Sequence, residues 1–174
     1  LLSSFTLPAF YVLVILQFIS DYTYITYTTT IVDYIVDKGT ALARAKRIVV
    51  YCGFGQAGGR LVLPFVTDKV SFSRSPVAAA CFVAAALCFV AVPRVSAYEG
   101  IVVLCCLADV AEGFILCIKP LLIADHIGLE RYTFCCGVAG IVGLPVWLSQ
   151  PTVVGWFRDE RGSYDNLYYM LGGI

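Results

Sequence analysis

Ile48-Val49-Val50-Tyr51-Cys52-Gly53-Phe54-Gly55-Gln56-Ala57-Gly58-Gly59-Arg60-Leu61-Val62-Leu63-Pro64-Phe65-Val66-Thr67 is an apolar run with one cation, Arg60, near its middle. A helix needs about 20 predominantly apolar residues to cross a bilayer, and this run has that length. An Arg near the middle of such a span costs at least ~2.5 kcal/mol. A chain keeps it where it faces a wet cavity, a partner charge or an anionic ligand, and that pattern points to solute transport.

The rest of the chain agrees with a bilayer setting. Of 174 residues, 60% are hydrophobic and 14% charged, against about 25% charged in soluble domains. Mean hydropathy is +0.85. A water-soluble domain of this length cannot hide so much apolar surface. The formal net charge is zero, whereas a nucleic-acid binder carries a basic surplus. The eight Cys, at 52, 81, 88, 105, 106, 117, 135 and 136, all lie in apolar runs without a C-x-x-C; they read as small packing residues rather than disulfide or zinc ligands. His126 is the single His, so no His-based metal site is expected, and no cofactor is implied. No nucleophile–base pair is visible, so an enzyme is not expected.

Five apolar segments and the start of a sixth are predicted: about Leu7 to Val32, Ile48 to Thr67, Val77 to Val92, Ile101 to Ala124, Thr133 to Phe157, and from Leu167 onward. In hydrocarbon such segments are helices. The links, Asp33 to Arg47, Asp68 to Pro76, Pro93 to Gly100, Asp125 to Tyr132 and Arg158 to Asn166, are short and polar. The predicted fold is therefore an all-α membrane protein, an up-down half-bundle of about six transmembrane helices. No secretory signal peptide is visible. The chain has no initiator Met and ends inside an apolar segment, so it reads as a piece of a longer protein.

Gly53-Phe54-Gly55-Gln56-Ala57-Gly58 matches the dinucleotide fingerprint, but no acidic residue lies between Asp68 and Glu99, and the fingerprint needs one about 20 positions on within a β-α-β unit. The favoured reading is close helix packing through small residues. Gln56 and Arg60, four apart, share a helix face. Arg60 is a candidate to pair an anionic substrate group with Gln56 beside it; a structural carboxylate on another helix, or snorkelling to an interface, is the alternative. Asp109, Glu112 and Lys119 lie on the fourth segment. A carboxyl there that takes and releases a proton escapes the cost of a buried anion, so Asp109 and Glu112 are proton-coupling candidates; a structural ion pair is the alternative. Pro120 is expected to kink this helix. Two charged turns, with Asp68, Lys69 and Arg74 in one and Asp125, Glu130 and Arg131 in the other, read either as solvated loops or as a charge-pair gate on one membrane face.

Gly128-Leu129-Glu130-Arg131, then Gly137, Gly143, Pro145, Gly155 and Asp159, then Gly162-Ser163-Tyr164-Asp165 and Tyr168, resemble the pattern from the tenth to the twelfth helix of the monocarboxylate transporter family, within the major facilitator superfamily. The resemblance covers nearly the whole chain and is most specific at Gly162-Ser163-Tyr164-Asp165. It implies that residues 1–174 are the C-terminal half, helices seven to twelve, of a twelve-helix plasma-membrane carrier. Substrate would lie between this half and a missing N-terminal one. In the family an Asp and an Arg one turn apart on the eighth helix are thought to take the proton and hold the substrate carboxylate. Arg60 stands at the Arg position, Gln56 where the Asp would be. The resemblance therefore implies monocarboxylate binding through Arg60, while H+ coupling loses its usual site. It also implies a single-span glycoprotein chaperone as partner. A non-transporting receptor or scaffold, and a carrier of neutral or aromatic amino acid-like solutes contacting Tyr22, Tyr24 and Tyr27, are the competing readings. The family topology places Lys69, Arg74 and Arg131 inside; the positive-inside rule favours the opposite orientation, because Lys38, Arg44, Lys46, Arg47, Arg94, Arg158 and Arg161 lie in the other loops.

Overall fold

Backbone N–H and C=O groups in hydrocarbon must be paired within their own segment, and every apolar run that the structure describes is helical. The computed structural model describes residues 8–69 and 74–174, without the side chains of residues 63 and 66–69. The elements are α1 (Pro8–Asp37), the single turn α2 (Leu42–Ala45), α3 (Arg47–Lys69), α4 (Arg74–Ala91) with a 3-10 turn at Val92–Arg94, α5 (Tyr98–Ile127), a 3-10 turn at Leu129–Arg131, α6 (Tyr132–Asp159) and α7 (Asp165–Gly173). Among the described residues there is no strand, and four helical stretches, Pro8–Asp37, Arg74–Arg94, Tyr98–Ile127 and Leu129–Asp159, are long and apolar enough to cross a membrane. The chain is an all-α membrane protein. α3, with 23 residues, rises about 34 Å at ~1.5 Å per residue, also a spanning length.

The helices overrun the apolar runs that announce them. α1 and α5 have 30 residues each, about 45 Å of helix against a hydrocarbon core of ~30 Å. Their polar ends stay helical beyond the apolar stretch. The expected Asp33–Arg47 link is mostly helix for that reason: the last residues of α1, then α2. Positive-φ glycines mark two reversals. Gly39 (φ 90°) follows α1, and Gly128 (φ 95°) ends α5 with its N–H on the Ala124 carbonyl at 3.0 Å. A side chain at either position would be strained. α5 continues through Pro120, as α6 does through Pro145 and Pro151.

α5 is the spine. α3 lies along one side of it and α4 along another, α1 packs on α6, and α4 packs on α7. The α3–α5 seam is made by missing side chains. A Cβ at Gly59 would stand 2.0 Å from the Val110 carbonyl oxygen, one at Gly113 would stand 2.3 Å from that of Gln56, and one at Gly55 would stand 2.8 Å from that of Cys106. Small residues let membrane helices approach in this way. Within the glycine-rich stretch Gly55 and Gly59 form this packing surface, whereas an added Cβ at Gly53 or Gly58 would meet no heavy atom within 4 Å, and Ile48 to Tyr51 is helix rather than the strand a dinucleotide fold requires. All eight cysteines are free thiols.

A second core is aromatic. The Tyr34 and Tyr168 rings lie 4.6 Å apart, and Tyr27 sits 5.2 Å from Phe89, tying α1 to α4 and α7. Tyr22 and Tyr27 are buried, so of the three tyrosines expected to meet a solute only Tyr24 is partly open.

Candidate functional site: charged side chains inside the bundle

Three side chains of charged type are buried on α5: Asp109 and Glu112 at 2% exposure and Lys119 at 7%. Each faces a different environment. Asp109 Oδ2 accepts the Tyr27 hydroxyl at 2.8 Å, and that hydroxyl lies 3.2 Å from Cys52 Sγ, so α1, α3 and α5 meet there. Lys119 Nζ donates to Asp21 Oδ1 at 2.5 Å and to Ser20 Oγ at 3.3 Å. Gln17 Nε2 donates to the other oxygen of Asp21 at 2.6 Å. Glu112 makes no ion pair among the described residues, and its Oε2 has no hydrogen-bond partner among them. The seven-residue spacing that puts Glu112 and Lys119 on nearly one helix face does not join them: Lys119 turns to α1. Asp21 and Gln17, which the candidate set lacks, complete the arrangement. Their signal in the sequence is two polar residues four apart inside an apolar run.

Gln56 and Arg60 are set apart by the fold. Gln56 lines a cavity of about 190 Å³ between α1, α3 and α5, together with Tyr24, Tyr27, Thr28, Cys52 and Asp109. Its Nε2 is buried without a partner among the described residues. Arg60 does not line that cavity. Its side chain is exposed on α3, with no ion pair to a structural carboxylate among the described residues.

Of the gating candidates, Asp68 and Lys69 have side chains outside the described residues. Arg74 and Asp125 do meet, Nη1 to Oδ2 at 3.1 Å, joining the start of α4 to the end of α5. Glu130 is exposed and Arg131 partly so, and neither forms an ion pair among the described residues. The opposite end of the bundle has two further clamps. Arg44 pairs with Glu99 and lies over the Tyr98 ring. Asp165 Oδ1 accepts both the Tyr34 hydroxyl at 2.8 Å and Lys38 Nζ at 3.0 Å. Burial pushes the Asp165 carboxyl up, but hydrogen bonds from Tyr34, Lys38 and Ser163 and the charge of Lys38 outweigh it, leaving the group below the usual carboxylate range. Gly162-Ser163-Tyr164-Asp165 thus has a structural task. Gly162 turns at φ 65°, Ser163 Oγ accepts the Asp165 N–H at 3.0 Å, and Asp165 fastens α7 to α1.

Fold and site define a class: a helical membrane protein that holds charged side chains inside its bundle. No family model matches the chain. It is similar to monocarboxylate transporter 10 of Danio rerio, with 24% identity over 130 residues, which is 73% of this chain and 26% of that protein. The chain thus spans about a quarter of the length of the curated relative it matches.

Proposed function

We propose that the chain is the C-terminal half of a multi-pass secondary transporter of small organic anions, monocarboxylates such as lactate or pyruvate, that works by alternating access in the plasma membrane rather than as an enzyme. The observation that carries this reading is Arg60. It is a cation exposed midway along a helix of spanning length, with no carboxylate partner among the described residues. Facing hydrocarbon it would be costly; facing a wet pathway between two halves it is a guanidinium fork for a carboxylate. The similarity to a monocarboxylate transporter supports the same class. Proton symport through Asp109 or Glu112 and a single-span glycoprotein partner belong to this proposal, as does a gate in which Arg74 and Asp125 take part.

The test is uptake of labelled lactate and pyruvate by oocytes expressing the full-length parent, wild type beside Arg60→Ala, with surface protein quantified. Saturable uptake in the wild type and its loss in Arg60→Ala at equal surface level is the expected result. Equal uptake in both would remove Arg60 from the site. A second reading, a carrier of neutral or aromatic amino acid-like solutes, draws support from the cavity lined by Tyr24, Thr28, Gln56 and Asp109, which holds no cation. Competition with lactate uptake by tyrosine or tryptophan would favour it.

A further inference from the structure

The charges between α1 and α5 do not balance. Asp21, Asp109 and Glu112 are three carboxyls, and Lys119 is the cation among them. Lys119 is taken by Asp21. Asp109 has the Tyr27 hydroxyl. Glu112 remains, 2% exposed, with Oε2 lacking a hydrogen-bond partner among the described residues. It opens on a cavity of about 300 Å³ whose walls come from α1 (Leu16, Ser20, Thr23), α4 (Phe89) and α7 (Leu171). Thr23 Oγ1 in the same wall is also unpartnered among the described residues. A carboxylate fixed as an anion here would be a buried charge with no ion pair of its own among the described residues, costly at bilayer depth. As the neutral acid it loses that cost and gains an O–H to offer a hydroxyl in the cavity.

We propose that Glu112, and not Asp109, is the group that takes up and releases the coupling proton, by way of the cavity between α1 and α4. The proposal rests on the carrier reading above. One proton adds to a Glu112 carboxylate oxygen to give the neutral acid and leaves again to water; an O–H bond forms and breaks, and no electrons are transferred. The groups around Glu112 are Ser20 and Asp21 from α1, Cys81 from α4, and Asp109 and Lys119 from α5 itself. α7 contributes apolar residues and glycines, Leu171 to Ile174, to the cavity wall, and α3 approaches through the Gln56 backbone at Gly113. The Lys119–Asp21 pair is overall neutral, so it leaves no net counter-charge to hold Glu112 permanently ionised. Ser20 Oγ, which accepts from Lys119, lies between the pair and Glu112.

The experiment uses the full-length protein in phosphatidylcholine vesicles, with wild type, Glu112→Gln, Glu112→Asp and Asp109→Asn checked for insertion. Labelled lactate uptake is compared at external pH of roughly 6 and roughly 8, so that the proton gradient is the variable. Infrared difference spectra of the same samples read the protonated-carboxyl band. The expected result is uptake several-fold faster in acid for the wild type, a ratio falling to about one in Glu112→Gln, recovery in Glu112→Asp, and a titrating carboxyl band missing only from Glu112→Gln. A wild type indifferent to pH would overturn the proposal while leaving the anion carrier standing. So would acid stimulation kept in Glu112→Gln or lost in Asp109→Asn alone. If lactate is not carried at all, the anion reading fails separately and the infrared band decides Glu112: retention of the band in Glu112→Gln overturns the assignment, and its loss sustains it.

Discussion

α5 and α6 are nearly equal in length, 30 and 28 residues, and both are apolar enough to span, yet they have opposite roles. Fourteen residues of α5 are buried and three of α6. α5 has close neighbours on several sides and carries every fully buried charge among the described residues. α6 leaves Ile141, Val142, Leu144 and Leu148 exposed and meets α1 through Cys135, Ala139 and Gly143. Apolar length does not separate the two, and the more apolar of them is the one enclosed. What separates them is which charged residues they carry: Asp109, Glu112 and Lys119 oblige α5 to be enclosed, while α6 has no charged side chain between Tyr132 and Phe157.

The difference can be broken most strongly at the buried pair. Lys119→Met leaves Asp21 without its cation; removing one partner of a fully buried pair costs about 3–5 kcal/mol, and because the Asp21 side chain is 31% exposed the loss lies at or below the low end of that range. The solubilised full-length variant should melt well below wild type, with much of the loss recovered in the Lys119→Met, Asp21→Leu double variant. A melting curve unchanged in Lys119→Met would show that the pair is not a structural tie. Next comes the small-residue seam. Gly113→Val pushes a side chain into the Gln56 carbonyl, and overpacking costs about 1–3 kcal/mol or more. Gly140→Val on α6, where no heavy atom lies within 4 Å of an added Cβ, should change stability by less than about 0.5 kcal/mol. Similar thermal shifts for these two would erase the contrast between the helices.

Smaller effects belong to the bundle ends. The Arg44–Glu99 pair is exposed, with side-chain exposures of 53% and 73%, and such pairs contribute about 0–1 kcal/mol. Arg44→Ala should matter little, and less still at high salt. Asp165 gives a pH signature with a definite sign. Its folded carboxyl titrates below its ordinary value, so the clamp contributes fully above the unfolded value of ~3.9 and is lost as pH falls through the lower, folded one. Asp165→Asn should flatten the acid limb of the stability profile below about pH 4; an unchanged acid limb would put the acid sensitivity elsewhere.

Much of this architecture is legible in the sequence because membrane helices announce themselves by length and hydropathy. Gly55 is readable as a packing residue from the glycine run of α3, but Gly53 and Gly58 share that run without packing, and Gly113, across the seam on α5, stands alone with no such signal. Helix ends are less legible, since Asp33 to Asp37 continue α1 as regular helix after the apolar signal has stopped. The partner of Lys119 is not legible at all. Asp21 lies 98 residues away, and helix-face spacing points Lys119 toward Glu112 instead. Likewise, a shared face for Gln56 and Arg60 does not give a shared site, because the α3–α5 seam draws Gln56 inward and leaves Arg60 outside.

The most direct test of Arg60 as an anion site on a water-lined face is thiol accessibility at that position. Full-length Arg60→Cys is treated with a membrane-impermeant charged methanethiosulfonate, beside the wild type with its native thiols. Labelling above the wild-type level, slowed by lactate, is the expected result. Labelling no greater than wild type would contradict it, placing Arg60 against lipid or protein rather than on the pathway.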